Sequence, residues 1–252
     1  MNRISDQGII LNTRKYSENS LIVQILSQNY GIYSGFVRGG VSSAKKFPSK
    51  SSLYHNFNLV DFHWNSKIAD NLGFFTIELK KSFLGSIISS KVKLASLNIV
   101  TAIIDQNVLE REPMSEVFSG LFGLLQSLDL TDNIFLERYI KFEIELLKSL
   151  GYGIDLSSCV VTGSRENLSF VSPKSAKAVC LQVGERYRDK LLTLPQFLLK
   201  NKDTENSTKD DLLNGLKLSG FFIEKYLTNK IKSEIFSSRN QIFEVLNSSS
   251  IH

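Results

Sequence analysis

Three histidines, His55, His63 and His252, and two cysteines, Cys159 and Cys180, are the whole supply of imidazole and thiol in this chain of 252 residues. Metal or nucleophilic catalysis needs such groups in clusters, or a nucleophile beside a base. One pair has a workable spacing. Asp61 and His63 stand two apart on a predicted strand and so share a face, as a general-base dyad or a two-ligand metal site requires. Two polar groups on an exposed strand face are the alternative reading. Glu143 with Glu145, and Asp210 with Asp211, read as charges on solvated helix surfaces. There is no Walker-A loop and no G-x-G-x-x-G after a strand, and Gly39-Gly40 lacks the helix that must follow a phosphate cradle. The residue supply speaks against catalysis, with a metal-dependent nuclease on Asp61 and His63 as the enzymatic alternative.

Binding is better supplied. The segment Arg38-Gly39-Gly40-Val41-Ser42-Ser43-Ala44-Lys45-Lys46-Phe47-Pro48-Ser49-Lys50 carries four bases and no acid. Serine and glycine donors on such a loop suit phosphate contacts, and Phe47, Tyr33, Phe36, Tyr54 and Trp64 offer rings on which bases could stack. Most of these rings are expected in the barrel core, and a merely solvated loop is the competing reading. Residues 1–80 hold nine bases against five acids, whereas the rest of the chain holds 21 against 20, so most of the net +5 lies in the first third. A polyanion would bind there, where the field is uncompensated, and nucleic acid leads the candidates.

The elements that must position these groups change character along the chain. With 42% apolar and 22% charged residues, a packed core is affordable and intrinsic disorder is excluded. Apolar runs such as Leu94 to Ile104 are too short for a membrane span, and no apolar h-region precedes Arg14-Lys15, so a cytoplasmic protein is expected. Two cysteines make no disulfide scaffold. Short runs with period two, Gly8 to Thr13, Leu21 to Leu26, Ile32 to Val37, Phe57 to Trp64 and a weaker Ile68 to Leu79, predict five strands, the number and size of an OB-fold barrel. Helical periodicity follows over Phe83 to Val108, Met114 to Leu128 and Ile134 to Leu150, with Gly151 and Gly153 as a stop. Thr208-Lys209-Asp210-Asp211 resembles a capping box that opens another helix at Leu212. Between them, Asp155 to Val183 breaks the period, and Asn247 to Ser250 predicts a frayed tail.

Taken in order, Gly8-Ile9-Ile10-Leu11-Asn12-Thr13-Arg14-Lys15-Tyr16-Ser17-Glu18-Asn19-Ser20-Leu21-Ile22-Val23 and Gly31-Ile32-Tyr33-Ser34-Gly35-Phe36-Val37-Arg38-Gly39 resemble the opening of the RecO family of bacterial DNA repair proteins. Leu121-Phe122-Gly123-Leu124-Leu125, then Phe142-Glu143-Ile144-Glu145-Leu146-Leu147 with Gly151-Tyr152, and the Lys232-Ser233-Glu234 region extend the resemblance over nearly the whole chain. It implies an α+β multidomain protein: an OB-fold barrel at 1–80, then a helical domain at 81–252 interrupted at 155–183 by a zinc-ribbon-like insertion. It also implies a recombination mediator located in the cytoplasm at the nucleoid. Such a mediator binds single- and double-stranded DNA, anneals strands and acts with RecR to load RecA onto strands coated by single-stranded-DNA-binding protein. Arg14, Lys15, Arg38, Lys45, Lys46 and Lys50 are the DNA-binding candidates. One departure is plain. Many relatives carry two C-x-x-C pairs in the insertion, whereas Cys159-Val160-Val161-Thr162 and Cys180-Leu181-Gln182-Val183 keep only the first cysteine of each. Two thiolates do not close a tetrahedral zinc site, so no metal or other cofactor is expected. Both thiols read as buried small hydrophobes. A protein-interaction adaptor with incidental charge is the alternative function.

Overall fold

The computed structural model describes residues 2–38, 50–67, 72–199, 207–227 and 232–248. Strands β1 (Asn2–Ser17), β2 (Ser20–Ser27), β3 (Gly31–Arg38), β4 (Leu59–Ser66) and β5 (Gly73–Lys81) close into a barrel. Their order is β1-β2-β3-β5-β4, with β4 pairing back onto β1, the topology of an OB fold. Alternation builds it: Leu21, Val23 and Ile25 of β2, Tyr33 and Val37 of β3, and Phe75 and Ile77 of β5 point inward to one core with Val60, Phe62 and Trp64 of β4. All contacts but one are antiparallel. β3 and β5 run parallel and pair only at Gly35↔Gly73 and Phe36↔Phe74, which leaves their remaining lengths apart.

A connecting segment fills part of that seam. Glu110 bridges Ile32, the Arg111 N–H donates to the Ile32 carbonyl at 2.9 Å, and Ser34 Oγ donates to Glu110 Oε1 at 2.7 Å. The Arg111 guanidinium lies 5.7 Å from the Tyr33 ring centre and 5.5 Å from that of Trp64. The segment passes so close to Gly31 (φ +81) that a Cβ there would fall 2.1 Å from the Glu112 carbonyl oxygen. Gly31→Ala combines a left-handed backbone with a backbone clash. It should destabilise the protein by more than the roughly 1–3 kcal/mol of backbone strain alone, read by calorimetry as a lower thermal midpoint of unfolding.

The helices are α1 (Leu84–Ile88), α2 (Lys91–Asn107), α3 (Ser115–Gln126) and α4 (Asp132–Ser149), followed after the insertion by α6 (Lys209–Leu227) and α7 (Lys232–Ser248). The single helix expected over Phe83 to Val108 is broken at Ser89 and Ser90, because Ser90 Oγ accepts the Lys93 N–H and caps a fresh start. At the end of α4, Gly151 takes φ +89 while Tyr152 N–H donates to the Leu147 carbonyl and Gly151 N–H to that of Lys148, a Schellman stop. The capping box forms as read: Asp211 N–H donates to Thr208 Oγ1, and Thr208 N–H to Asp211 Oδ2, each at 3.1 Å. Helix α7 runs through Asn247 and Ser248, where fraying was expected.

The stretch read as an irregular insertion folds around a small antiparallel sheet. Its strands are β6 (Leu168–Val171), β7 (Ala178–Cys180) and β8 (Leu192–Thr193) in the order β7-β6-β8, and a one-turn α5 (Leu181–Gly184) follows β7. The third strand lies beyond the expected end at residue 183. Two compact units result: Met1–Ser89 with Ile104–Gln126, and Ser90–Ile103 with Ser127–His252. Residues 104–126, which a division at residue 80 would give to the helical body, belong to the barrel unit, where α3 packs on β1 and β2. No described helix is long and apolar enough to cross a membrane.

Candidate nucleic-acid interface

Strand register builds a row of side chains across the outside of the barrel. Arg14 pairs with Ile22, Ile22 with Phe36, and Phe36 with Phe74, so the four occupy one line over β1, β2, β3 and β5. Their neighbours Leu21, Tyr33, Val37 and Phe75 point into the core, which puts this row on the opposite, outer face. Arg38, two residues beyond Phe36, shares that face.

A β-bulge brings in a third ring. The β1–β2 register shifts between Lys15 and Ser17, leaving Tyr16 as the extra residue, and such bulges re-aim side chains. The Tyr16 ring meets Phe36 edge-on at 4.9 Å, and Phe36 meets Phe74 at 5.8 Å. Tyr16 is 64% exposed and Phe74 40%, so two of the three rings offer surface to a ligand. The Arg38 guanidinium lies over Phe74, 4.6 Å from its centre. Beside the rings, where β3 and β5 part after their two shared rungs, a cleft of about 530 Å³ opens, lined by Phe36, Arg38, Tyr54, Phe74 and Thr76. An exposed line of aromatic rings with an Arg stacked at its end is the arrangement that holds unpaired bases without reading their sequence.

The sequence-predicted residues fall unevenly on this face. Arg14 and Arg38 join the row. Lys15 is exposed but pairs with the core-facing Leu21, so it lies on the alternate side of β1. Lys45, Lys46 and Phe47 lie outside the described residues, as does the side chain of Lys50. Of the other rings weighed for stacking, Tyr33, Tyr54 and Trp64 lie in the core, as expected for most of them: each is less than a tenth exposed. Tyr33 and Trp64 pack edge to face at 5.0 Å, and Trp64 Nε1 donates to the Ser34 carbonyl. Tyr16 and Phe74 were missed. Period-two parity would have separated outward Phe36 from inward Tyr33, whereas the bulge at Tyr16 has no sequence mark.

Asp61 and His63 each bond another side chain, as two polar groups on an exposed strand face would. The Lys80 ammonium binds Asp61 at 2.8 Å, and its hydrogen bond holds the Asp61 carboxyl below its usual value. His63 Nδ1 is hydrogen-bonded instead to Ser5 Oγ at 2.6 Å. Among the described residues no three His, Cys, Asp or Glu side chains gather as a metal site. The zinc that the insertion's likeness implies does not fit the residues present, since Thr162 and Val183 stand where the second cysteine of each pair would be. Glu143, read as a solvated charge, is fully buried and bound by Arg239, whereas Glu145 is exposed beside Lys148.

Two family models match the chain: Recombination protein O N terminal over residues 1–83 and Recombination protein O C terminal over residues 89–235. The chain is 38% identical over 224 residues to the DNA repair protein RecO of Rickettsia canadensis (strain McKiel), which covers 89% of each chain. It is likewise 38% identical over 224 residues to that of Rickettsia akari (strain Hartford), 89% of this chain and 90% of the other. Against the protein of the same name from Rickettsia conorii (strain ATCC VR-613 / Malish 7) it is 37% identical over 225 residues, again 89% and 90%.

Proposed function

This chain belongs to the recombination protein O family, with a role in DNA repair, and from that premise we propose that it is a non-catalytic recombination mediator. It binds single- and double-stranded DNA, anneals complementary strands and, with RecR, helps load RecA onto DNA coated by single-stranded-DNA-binding protein. Annealing makes and breaks no covalent bond. A basic surface offsets the repulsion between two strands, and base pairing drives the reaction. The observation that supports this reading is the outer row of the barrel: Tyr16, Phe36 and Phe74 in ring contact, with Arg38 over Phe74 and Arg14 in register. The rings hold bases splayed from a single strand, and the bases beside them hold phosphates. Arg14, Arg38, Lys45, Lys46 and Lys50 make up the phosphate path, and Lys15, exposed on the alternate side of β1, lies off the row.

Salt dependence of DNA binding tests this. The quadruple change Arg38→Ala, Lys45→Ala, Lys46→Ala and Lys50→Ala removes four phosphate contacts. Each is worth a slope of roughly 0.7 on single strands, so the magnitude of the log-affinity versus log-salt slope should fall by about 3. Affinity should converge toward wild type as salt rises, and strand annealing should slow. Lys148→Ala with Lys217→Ala should change affinity much less. A folded quadruple variant that keeps the wild-type slope and anneals normally would show the loop to be a bystander, and an adaptor role would then gain.

A further inference from the structure

The insertion holds two sulfur atoms in one small buried site. Cys159 is 2% exposed and Cys180 5%, and neither forms a disulfide. The Cys180 N–H donates to Cys159 Sγ at 3.3 Å. Thr162 Oγ1 lies 3.8 Å from Cys180 Sγ. Backbone pairing fixes this juxtaposition: Val160 N–H donates to the Ala178 carbonyl at 2.8 Å and Ala178 N–H to that of Asp155 at 2.9 Å, holding the two cysteine segments side by side. The adjoining residues Val160, Val161 and Leu181 are exposed, which places the sulfurs one residue below solvent.

A metal would give this geometry a purpose, but the ligand set is half of what zinc requires. We propose that Cys159 and Cys180 form a reversible oxidation site for hydrogen peroxide, closing to an intramolecular disulfide between the two cysteine segments that a metal would otherwise join. The surroundings select Cys159 as the attacking group. Burial raises its thiol, but hydrogen bonds from the Thr162 side chain and from the N–H groups of Cys180, Thr162 and Val161 outweigh burial and bring it down to about 6. At neutral pH Cys159 is therefore a thiolate, the reactive form.

The chemistry balances in two steps. The Cys159 thiolate attacks one peroxide oxygen; an S–O bond forms, the O–O bond breaks, and the departing hydroxide takes a proton to become water. Cys180 then gives up its proton and attacks Cys159 Sγ. The S–S bond forms, the S–O bond breaks, and the hydroxide that leaves takes up that proton as a second water. Two thiols are oxidised to one disulfide and one peroxide is reduced to two waters. The bond closes a loop between residues 159 and 180, which removes freedom from the unfolded chain and stabilises the oxidised protein.

The test treats the full-length chain with hydrogen peroxide, counts thiols after denaturation and maps peptides without reductant. The expected result is a Cys159–Cys180 cross-linked peptide within one chain, both thiols lost together, reversal by dithiothreitol and a higher thermal midpoint in the oxidised protein. The rate should fall about tenfold per pH unit below pH about 6, as the thiolate is protonated. Cys180→Ser should stop the reaction at a sulfenic acid on Cys159 that dimedone traps, and Cys159→Ser should leave Cys180 unreacted. The wild-type map decides the question even where a variant fails to fold. Thiols that outlast those of the urea-unfolded chain, sulfinic acid on Cys159 as the main product, or disulfides only between chains would each overturn the proposal.

Discussion

Replacing Tyr16 and Phe74 together by alanine should weaken binding of single-stranded DNA by about 30-fold or more at fixed salt, since base stacking on one ring is worth ~1–3 kcal/mol. The salt slope should stay at its wild-type value, because neither ring neutralises a phosphate. Arg14→Ala should do the reverse, lowering the slope by about 0.7 with a smaller loss at high salt. Tyr16 and Phe74 are the rings to remove because they are the exposed ones, whereas Phe36 lies between them and supports both. Blunt duplex DNA is the internal control. Its bases are stacked on each other and do not reach the rings, so its affinity should move only a few-fold on the scale of that stacking term. A double variant that binds both forms as wild type does, or loses both equally, would remove the outer row from the DNA path.

What the sequence disclosed and what it hid divide along locality. The Thr208–Asp211 box and the Gly151 stop are written within six residues, and both form as read. Barrel strands follow from period two, and each of the five stretches read as strands contains or overlaps one. The binding row depends on facts that no local window holds. Phe36 and Phe74 meet because β3 and β5 pair in parallel for two rungs, 38 residues apart, and Tyr16 reaches them through a bulge. Tyr33, Tyr54 and Trp64 were grouped with Phe36 as rings near a basic loop, and only the parity of β3 and the closure of the barrel send the first three inward. The second unit shows the same limit. Helix α7 offers few apolar positions, with Ile242 and Leu246 its buried aliphatic residues among those described, and its main anchor is a charge whose partner lies 96 residues earlier.

That anchor carries the largest expected effect on stability. Arg239 sends Nη1 to Glu143 Oε1 and Nη2 to Oε2, both at 2.7 Å, and Nη2 also reaches Ser219 Oγ and the Leu216 carbonyl. Tyr139 and Ser219 donate their hydroxyls to the same carboxylate at 2.5 Å, so each oxygen of Glu143 has two donors. Gly220 makes room, since a Cβ there would fall 2.6 Å from Arg239 Nε. Burial and the Glu143 charge raise the Tyr139 hydroxyl well above its usual value, so it stays a donor at any ordinary pH. For Arg239 burial opposes the charge, but Glu143 and Tyr139 outweigh it and keep the guanidinium protonated. With Glu143 at 0% exposure, Arg239→Ala strands a carboxylate away from water. Breaking such a pair from one side costs about 3–5 kcal/mol, which in a unit of this size lowers the thermal midpoint by roughly 10 °C. Glu143→Leu, which strands the cation instead, should cost a similar amount. The double variant Glu143→Leu with Arg239→Leu should be milder than the sum of the two, because both charges leave together and only the Tyr139 and Ser219 hydroxyls need new partners. A double-mutant cycle by chemical denaturation reads this directly, and the coupling should exceed about 2 kcal/mol. A cycle that closes near zero would mean that the pair is held apart by water and that apolar contacts such as those of Ile242 and Leu246 fix α7 without it.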